Sequence, residues 1–161
     1  FILESKNWGD FVIAKSFMAY SVLSVLSLFI SGPIIDKYSS RKLLPFMNIP
    51  SLFAMLILFY FDNHISSYFL LGLMGISNGL ANVLGSSTWA EIYGVKHLGS
   101  IKALTTAMMV FATAFGTAIF GMIIDLGYSI ELIAIVSSVY IIIANILIVV
   151  FKRQIEPVLI K

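Results

Sequence analysis

The chain has 161 residues, 60% of them hydrophobic and 11% charged, with ten basic and eight acidic side chains giving a net charge of +2, and no cysteine. An average soluble domain is about 45–50% apolar and about 25% charged, so charges this sparse cannot clothe a core of this size in water, and lipid is the outer solvent. The near-neutral balance gives no footing for a nucleic-acid partner, and the missing cysteines exclude disulfides, thiolate metal sites and cysteine nucleophiles.

A hydrocarbon core about 30 Å thick takes roughly 20 helical residues to cross. By that measure five spans are predicted, at 11–35, 43–61, 65–93, 101–124 and 130–151, joined by short polar links. The expected fold class is all-α, a polytopic transmembrane helix bundle occupying residues 1–161 as one domain. The chain starts at Phe1 rather than Met, with no leader pattern before its first apolar run, and is read as the C-terminal part of something longer.

The first span carries Tyr20, Ser24, Ser27 and Ser31 at helical spacing, a stripe that should face protein. Its serines are expected to bond their own i−4 carbonyls, and Tyr20 is the member assigned to a cavity. The second span is bulky and aliphatic, with an isolated Asn48, and should be peripheral. The third holds Gly72, Gly75, Gly79 and Gly85, of which Gly75 and Gly79 form a small-xxx-small pair for close helix packing. Asn78, Asn82, Ser86 and Trp89 share one face of that span. Carboxamides at membrane depth are costly against lipid, so this face meets either a partner helix or a water-filled substrate cavity. In the fourth span, Thr106, Thr113 and Thr117 lie on one side beside Ala112 and Gly116, which reads as a packed helix with self-satisfied hydroxyls. The fifth, with an isolated Asn145, again looks peripheral.

Basic residues sort the links into two sets. Lys37, Arg41, Lys42, Lys96, Lys102, Lys152, Arg153 and Lys161 follow odd-numbered spans, whereas Asp62, Asn63, His64 and Asp125 follow even-numbered ones; Lys6 and Lys15 sit at the N-terminal approach. Positive charge is retained inside, so the chain should enter from outside and end in the cytoplasm. Asp36 and Glu91 fall at the cytoplasmic ends of spans, Asp125 and Glu131 at the outer ends, and Lys15 can snorkel outward. No proton relay within the membrane is visible. His64 and His97 lie on opposite sides, too far apart to share a metal, so neither a metal nor another cofactor is implied and no catalytic residues are assigned.

The link after the first span reads Gly32-Pro33-Ile34-Ile35-Asp36-Lys37-Tyr38-Ser39-Ser40-Arg41-Lys42. It resembles the loop signature of the major facilitator superfamily, G-x-L-x-D-R-x-G-R-R. Gly32, Asp36, Lys37 and Arg41 match in kind; Ser39 stands at the usual glycine and Ser40 at the first of the paired arginines. The stretch from Trp89-Ala90-Glu91 to Lys102 resembles the link between helices ten and eleven of bacterial members, with Leu98 at the usual basic position and Lys96, His97 or Lys102 nearby. Phe115-Gly116-Thr117-Ala118-Ile119-Phe120-Gly121 resembles the glycine-proline motif of helix eleven, with Thr117 at the proline.

The resemblance covers the whole chain and implies the C-terminal half of that fold, helices eight to twelve. Ten would line the central cavity, eight and eleven would pack beside it, and nine and twelve would be peripheral. It also implies a symporter or antiporter in the inner membrane, moving a small solute by alternating access of two six-helix halves, one of them completed by missing N-terminal helices. A coupling proton or ion would be a further partner. Asn78, Asn82, Ser86 and Tyr20 are then the substrate-cavity candidates, and Gly75, Gly79, Gly116 and Gly121 the packing glycines. Gly32, Asp36, Lys37, Arg41 and Glu91 form a candidate cytoplasmic latch, with Arg41 gripping Glu91 as a bidentate partner. The latch is expected to close only when the two bundles meet at their cytoplasmic ends. A non-transporting receptor or scaffold of the same fold is the alternative. An integral-membrane enzyme is a weaker one, since it would need acid–base or metal-binding groups clustered at one face.

Overall fold

The computed structural model describes residues 9–155, with side chains through Phe151. Lys6 and Lys161 lie outside the described residues, and the side chains of Lys152 and Arg153 are not described. The helices are α1 (Asp10–Tyr38), α2 (Ser40–Leu43), α3 (Ile49–Tyr60), α4 (His64–Tyr93), α5 (Leu98–Asp125) and α6 (Ile130–Ile155), with short 3-10 turns at Leu44–Phe46 and Val95–His97 and no strand among the described residues. Five helical stretches are long and apolar enough to cross a membrane.

The second of these stretches departs from the continuous 43–61 helix expected. It is broken into α2, a 3-10 turn and α3 because Pro45 and Pro50 each lack the N–H that a helix interior needs. The break frees the Met47 carbonyl, which accepts the Ser77 hydroxyl from α4. Irregular backbone at membrane depth requires such a donor.

Two contacts organise the bundle. In the first, α1 and α4 meet almost backbone to backbone. A Cβ added at Gly72 would lie 2.8 Å from Leu23 Cδ1, and one at Gly79 would lie 2.5 Å from the Ser24 carbonyl oxygen. One at Gly75 would overlap the Tyr20 carbonyl. Ser24, Ser27 and Ser31 are buried in this seam, and the Ser16 and Ser67 hydroxyls bond across it at 2.9 Å. Ser27 and Ser31 bond back to the Leu23 and Leu28 carbonyls at 2.7 and 3.0 Å, whereas Ser24 is bonded across the seam by Asn78.

In the second contact, Ala54 and Leu58 of α3, Leu70 of α4 and Ala134 of α6 form a buried apolar cluster. Asn48 and Asn145 are not isolated, because Asn48 Nδ2 donates to Asn145 Oδ1 at 3.3 Å. A carboxamide pair is how two apolar helices satisfy one polar group each.

In the fourth span no packing partner is present among the described residues: α5 has no buried residue, and none of them lies within 4 Å of a Cβ added at Gly116 or Gly121. Small residues permit close packing but do not supply the facing helix. Here both glycines border a cleft of about 900 Å³ between α1, α5 and α6, floored by Met55 and Met74.

Candidate functional site

The link from α1 to α2 builds a compact polar joint. α1 ends where the Ser39 N–H donates to the Ile35 carbonyl at 2.9 Å, and Ser39 takes φ 68° and ψ 138°. That turn sends Ser40 and Arg41 toward the end of α4. There the Glu91 carboxylate accepts the Ser39 hydroxyl at 2.9 Å, the Ser40 N–H at 2.8 Å and Arg41 Nε–H at 3.1 Å. One turn earlier, the Thr88 hydroxyl donates to Ser40 Oγ at 3.1 Å, with both residues buried.

Bonds to an ionised acceptor are short and roughly twice as strong as neutral ones. The Arg41 and Glu91 side chains remain 28% and 27% exposed, so solvent screens the ion pair itself and it adds roughly 0–1 kcal/mol. The Ser39, Ser40 and Thr88 bonds therefore carry much of the joint's cohesion.

Of the five predicted latch residues, Arg41 and Glu91 come together, through Nε rather than as a two-pronged fork. They do so within one helical body, so this contact does not wait on a second bundle. Asp36 and Lys37 are exposed, and the Asp36 side chain makes no hydrogen bond or ion pair among the described residues. Lys37 Nζ sits 5.2 Å from the centre of the Tyr38 ring. Gly32 faces open space. Asp36, Lys37, Lys42, Arg41 and Glu91 share the walls of a cleft of about 650 Å³.

The second polar feature lies near the midpoint of α4. Asn78 and Asn82 are exposed and Ser86 half-buried. Asn78 Nδ2 donates to Ser24 Oγ at 3.3 Å, Asn82 Nδ2 to the Asn78 carbonyl at 2.9 Å, and the Ser86 hydroxyl to the Asn82 carbonyl at 2.9 Å. Asn78 thus makes an interhelical bond and still presents an open face. Tyr20, half-buried, gives its backbone to Gly75 rather than to this ladder. On α5, Thr113 and Thr117 bond back to the Met109 and Thr113 carbonyls, the local satisfaction expected of them.

The sequence matches the Major Facilitator Superfamily over residues 1–159. The chain belongs to that superfamily. It is a multi-pass membrane protein of a transporter family. Comparison with curated proteins and with solved structures gives no match.

The superfamily's loop signature has glycine where this chain has Ser39, and the positive φ there gives the physical reason: left-handed backbone costs glycine nothing and a side-chain-bearing residue a good deal. Sequence reasoning missed Ser39, Ser40 and Thr88 as members of the joint. Thr88 and Glu91, three residues apart on one helical face, were the available signal.

Proposed function

We propose that this chain is helices eight to twelve of a secondary active transporter of the bacterial type, which moves a small solute across the inner membrane by alternating access. The observation that carries the reading is the open polar ladder of Asn78, Asn82 and Ser86 at mid-helix, on the element most tightly fixed in the bundle. Polar groups at that depth are retained where they meet water or a solute, and alternating access needs a midplane site on a wall that does not deform. Charge is confined to the helix ends, so solute contacts on this wall are made by carboxamides and hydroxyls. The basic links lie in the cytoplasm by the positive-inside rule, which puts the start of α1 outside.

In this reading the Glu91 joint ties the α1–α2 turn to the cytoplasmic end of α4. Asp36 and Lys37, exposed beside it, are the contacts offered to the opposing half in the outward-open state. The test is solute flux by the full-length protein in proteoliposomes against a broad panel. Saturable uptake that falls in Asn82→Leu while protein yield holds supports transport through this wall. No flux for any solute, or flux indifferent to Asn78→Leu and Asn82→Leu together, refutes it.

A further inference from the structure

Among the described residues Ser39 is the one non-glycine with positive φ; the others, Gly9, Gly94 and Gly127, have no side chain to crowd. A strained backbone of this kind persists only where its surroundings over-determine it. Three bonds do so here. The Ser39 N–H reaches the Ile35 carbonyl at 2.9 Å, the Ser39 hydroxyl reaches Glu91 Oε2 at 2.9 Å, and the following Ser40 N–H reaches Glu91 Oε1 at 2.8 Å. Two of the three end on a single carboxylate, carried by a different helix. α2, with four residues, is too short to hold itself in place.

We propose that Ser39 makes the α1–α2 turn a carboxylate-gated hinge. The turn keeps its left-handed backbone while Glu91 holds the Ser39 hydroxyl and the Ser40 N–H. When that carboxylate is drawn to another partner, Ser39 relaxes to an ordinary negative φ and α2 swings with Arg41. Glycine at the same position has no side-chain penalty at positive φ, so a glycine turn carries no strain for the carboxylate to offset and depends on Glu91 less. Serine makes the conformation of this link conditional on Glu91, which ties the cleft of Asp36, Lys37 and Lys42 to the end of α4.

Amide hydrogen exchange across residues 39–42 of the full-length protein in lipid nanodiscs reads the opening directly. Ser39→Ala keeps the crowding and loses the hydroxyl, whereas Ser39→Gly loses both. The expected result is exchange about tenfold faster in Ser39→Ala and within about threefold of the native rate in Ser39→Gly. Amides of α1 between Ser24 and Ser31 should be unchanged, which checks folding. Glu91→Gln should speed exchange about tenfold with Ser39 present and by under about threefold in the Ser39→Gly background. The hinge is refuted if Ser39→Ala stays within about threefold of native, if Ser39→Gly opens as far as Ser39→Ala, or if Glu91→Gln acts equally in both backgrounds. A passive turn would show that last pattern, since its cohesion would not depend on which residue occupies position 39.

Discussion

Gly79→Ala and Gly116→Ala are the same chemical change on two spans, and the structure assigns them opposite signs. At Gly79 the new methyl would lie 2.5 Å from the Ser24 carbonyl oxygen and 2.7 Å from Ser27 Cβ, where ordinary contact begins at 3.4 Å, so α1 and α4 must separate locally by 3.4 − 2.5 = 0.9 Å. The obstacle is backbone, which cannot rotate away. Overpacking of this kind costs about 1–3 kcal/mol, against which alanine's better helix propensity returns up to about 1 kcal/mol. The net is a loss of up to about 2 kcal/mol, read as a lower melting temperature. At Gly116 none of the described residues lies within 4 Å of the added carbon, so the propensity gain stands alone and the melting temperature should hold or rise. Thermal unfolding of both variants of the full-length protein in one detergent measures the difference. If Gly79→Ala melts with the native protein, or Gly116→Ala loses as much as Gly79→Ala, the α1–α4 seam is not the backbone contact described here.

Asn48→Leu should destabilise by about 1–3 kcal/mol, because Asn145 loses its partner in an apolar setting; Asn48→Leu with Asn145→Leu should recover most of that loss in the same melting assay. Thr88→Val keeps the shape but removes the bond to Ser40 Oγ, so about 0.5–1.5 kcal/mol should be lost, visible also as faster amide exchange at Ser40. Asp36→Asn should leave stability unchanged, since the Asp36 side chain has no bond to lose among the described residues, yet alter thiol labelling of single-cysteine reporters in the cytoplasmic cavity. Unchanged labelling together with unchanged flux would remove Asp36 from the proposed latch.

Composition and length made the helical membrane class legible, because the cost of exposing backbone to lipid leaves few ways to cross it. The serine stripe of α1 and the glycines of α4 were legible too, since small residues at helical spacing have one main use there. What pairs with what was not. Asn48 and Asn145 are 97 residues apart, and nothing local in either helix names the other. The Glu91 joint was half visible: opposite charges suggested Arg41, but the hydroxyl and backbone donors depend on the direction Ser39 turns the chain, which follows from a φ that serine seldom adopts. Gly116 and Gly121 show the converse, for a motif can mark residues able to pack without specifying a neighbour.

The rigid and yielding parts of the bundle fall in places that suit movement about a fixed wall. α1 and α4 are locked by backbone contact along Gly75 and Gly79, with the Leu23 side chain against Gly72. Asn78 and Asn82 ride on that locked pair, so their spacing persists through any motion of the rest. The yielding part is the α1–α2 turn, hinged at Ser39, with the four-residue α2, whereas α3 beyond it is held in the buried cluster of Ala54, Leu58, Leu70 and Ala134. A displacement at the α1–α2 turn therefore finds its easiest outlet along α2. Sliding α1 past α4 instead would press the Tyr20 and Ser24 carbonyls into the helix that opposes them, and backbone in contact with backbone has no side chain that can give way.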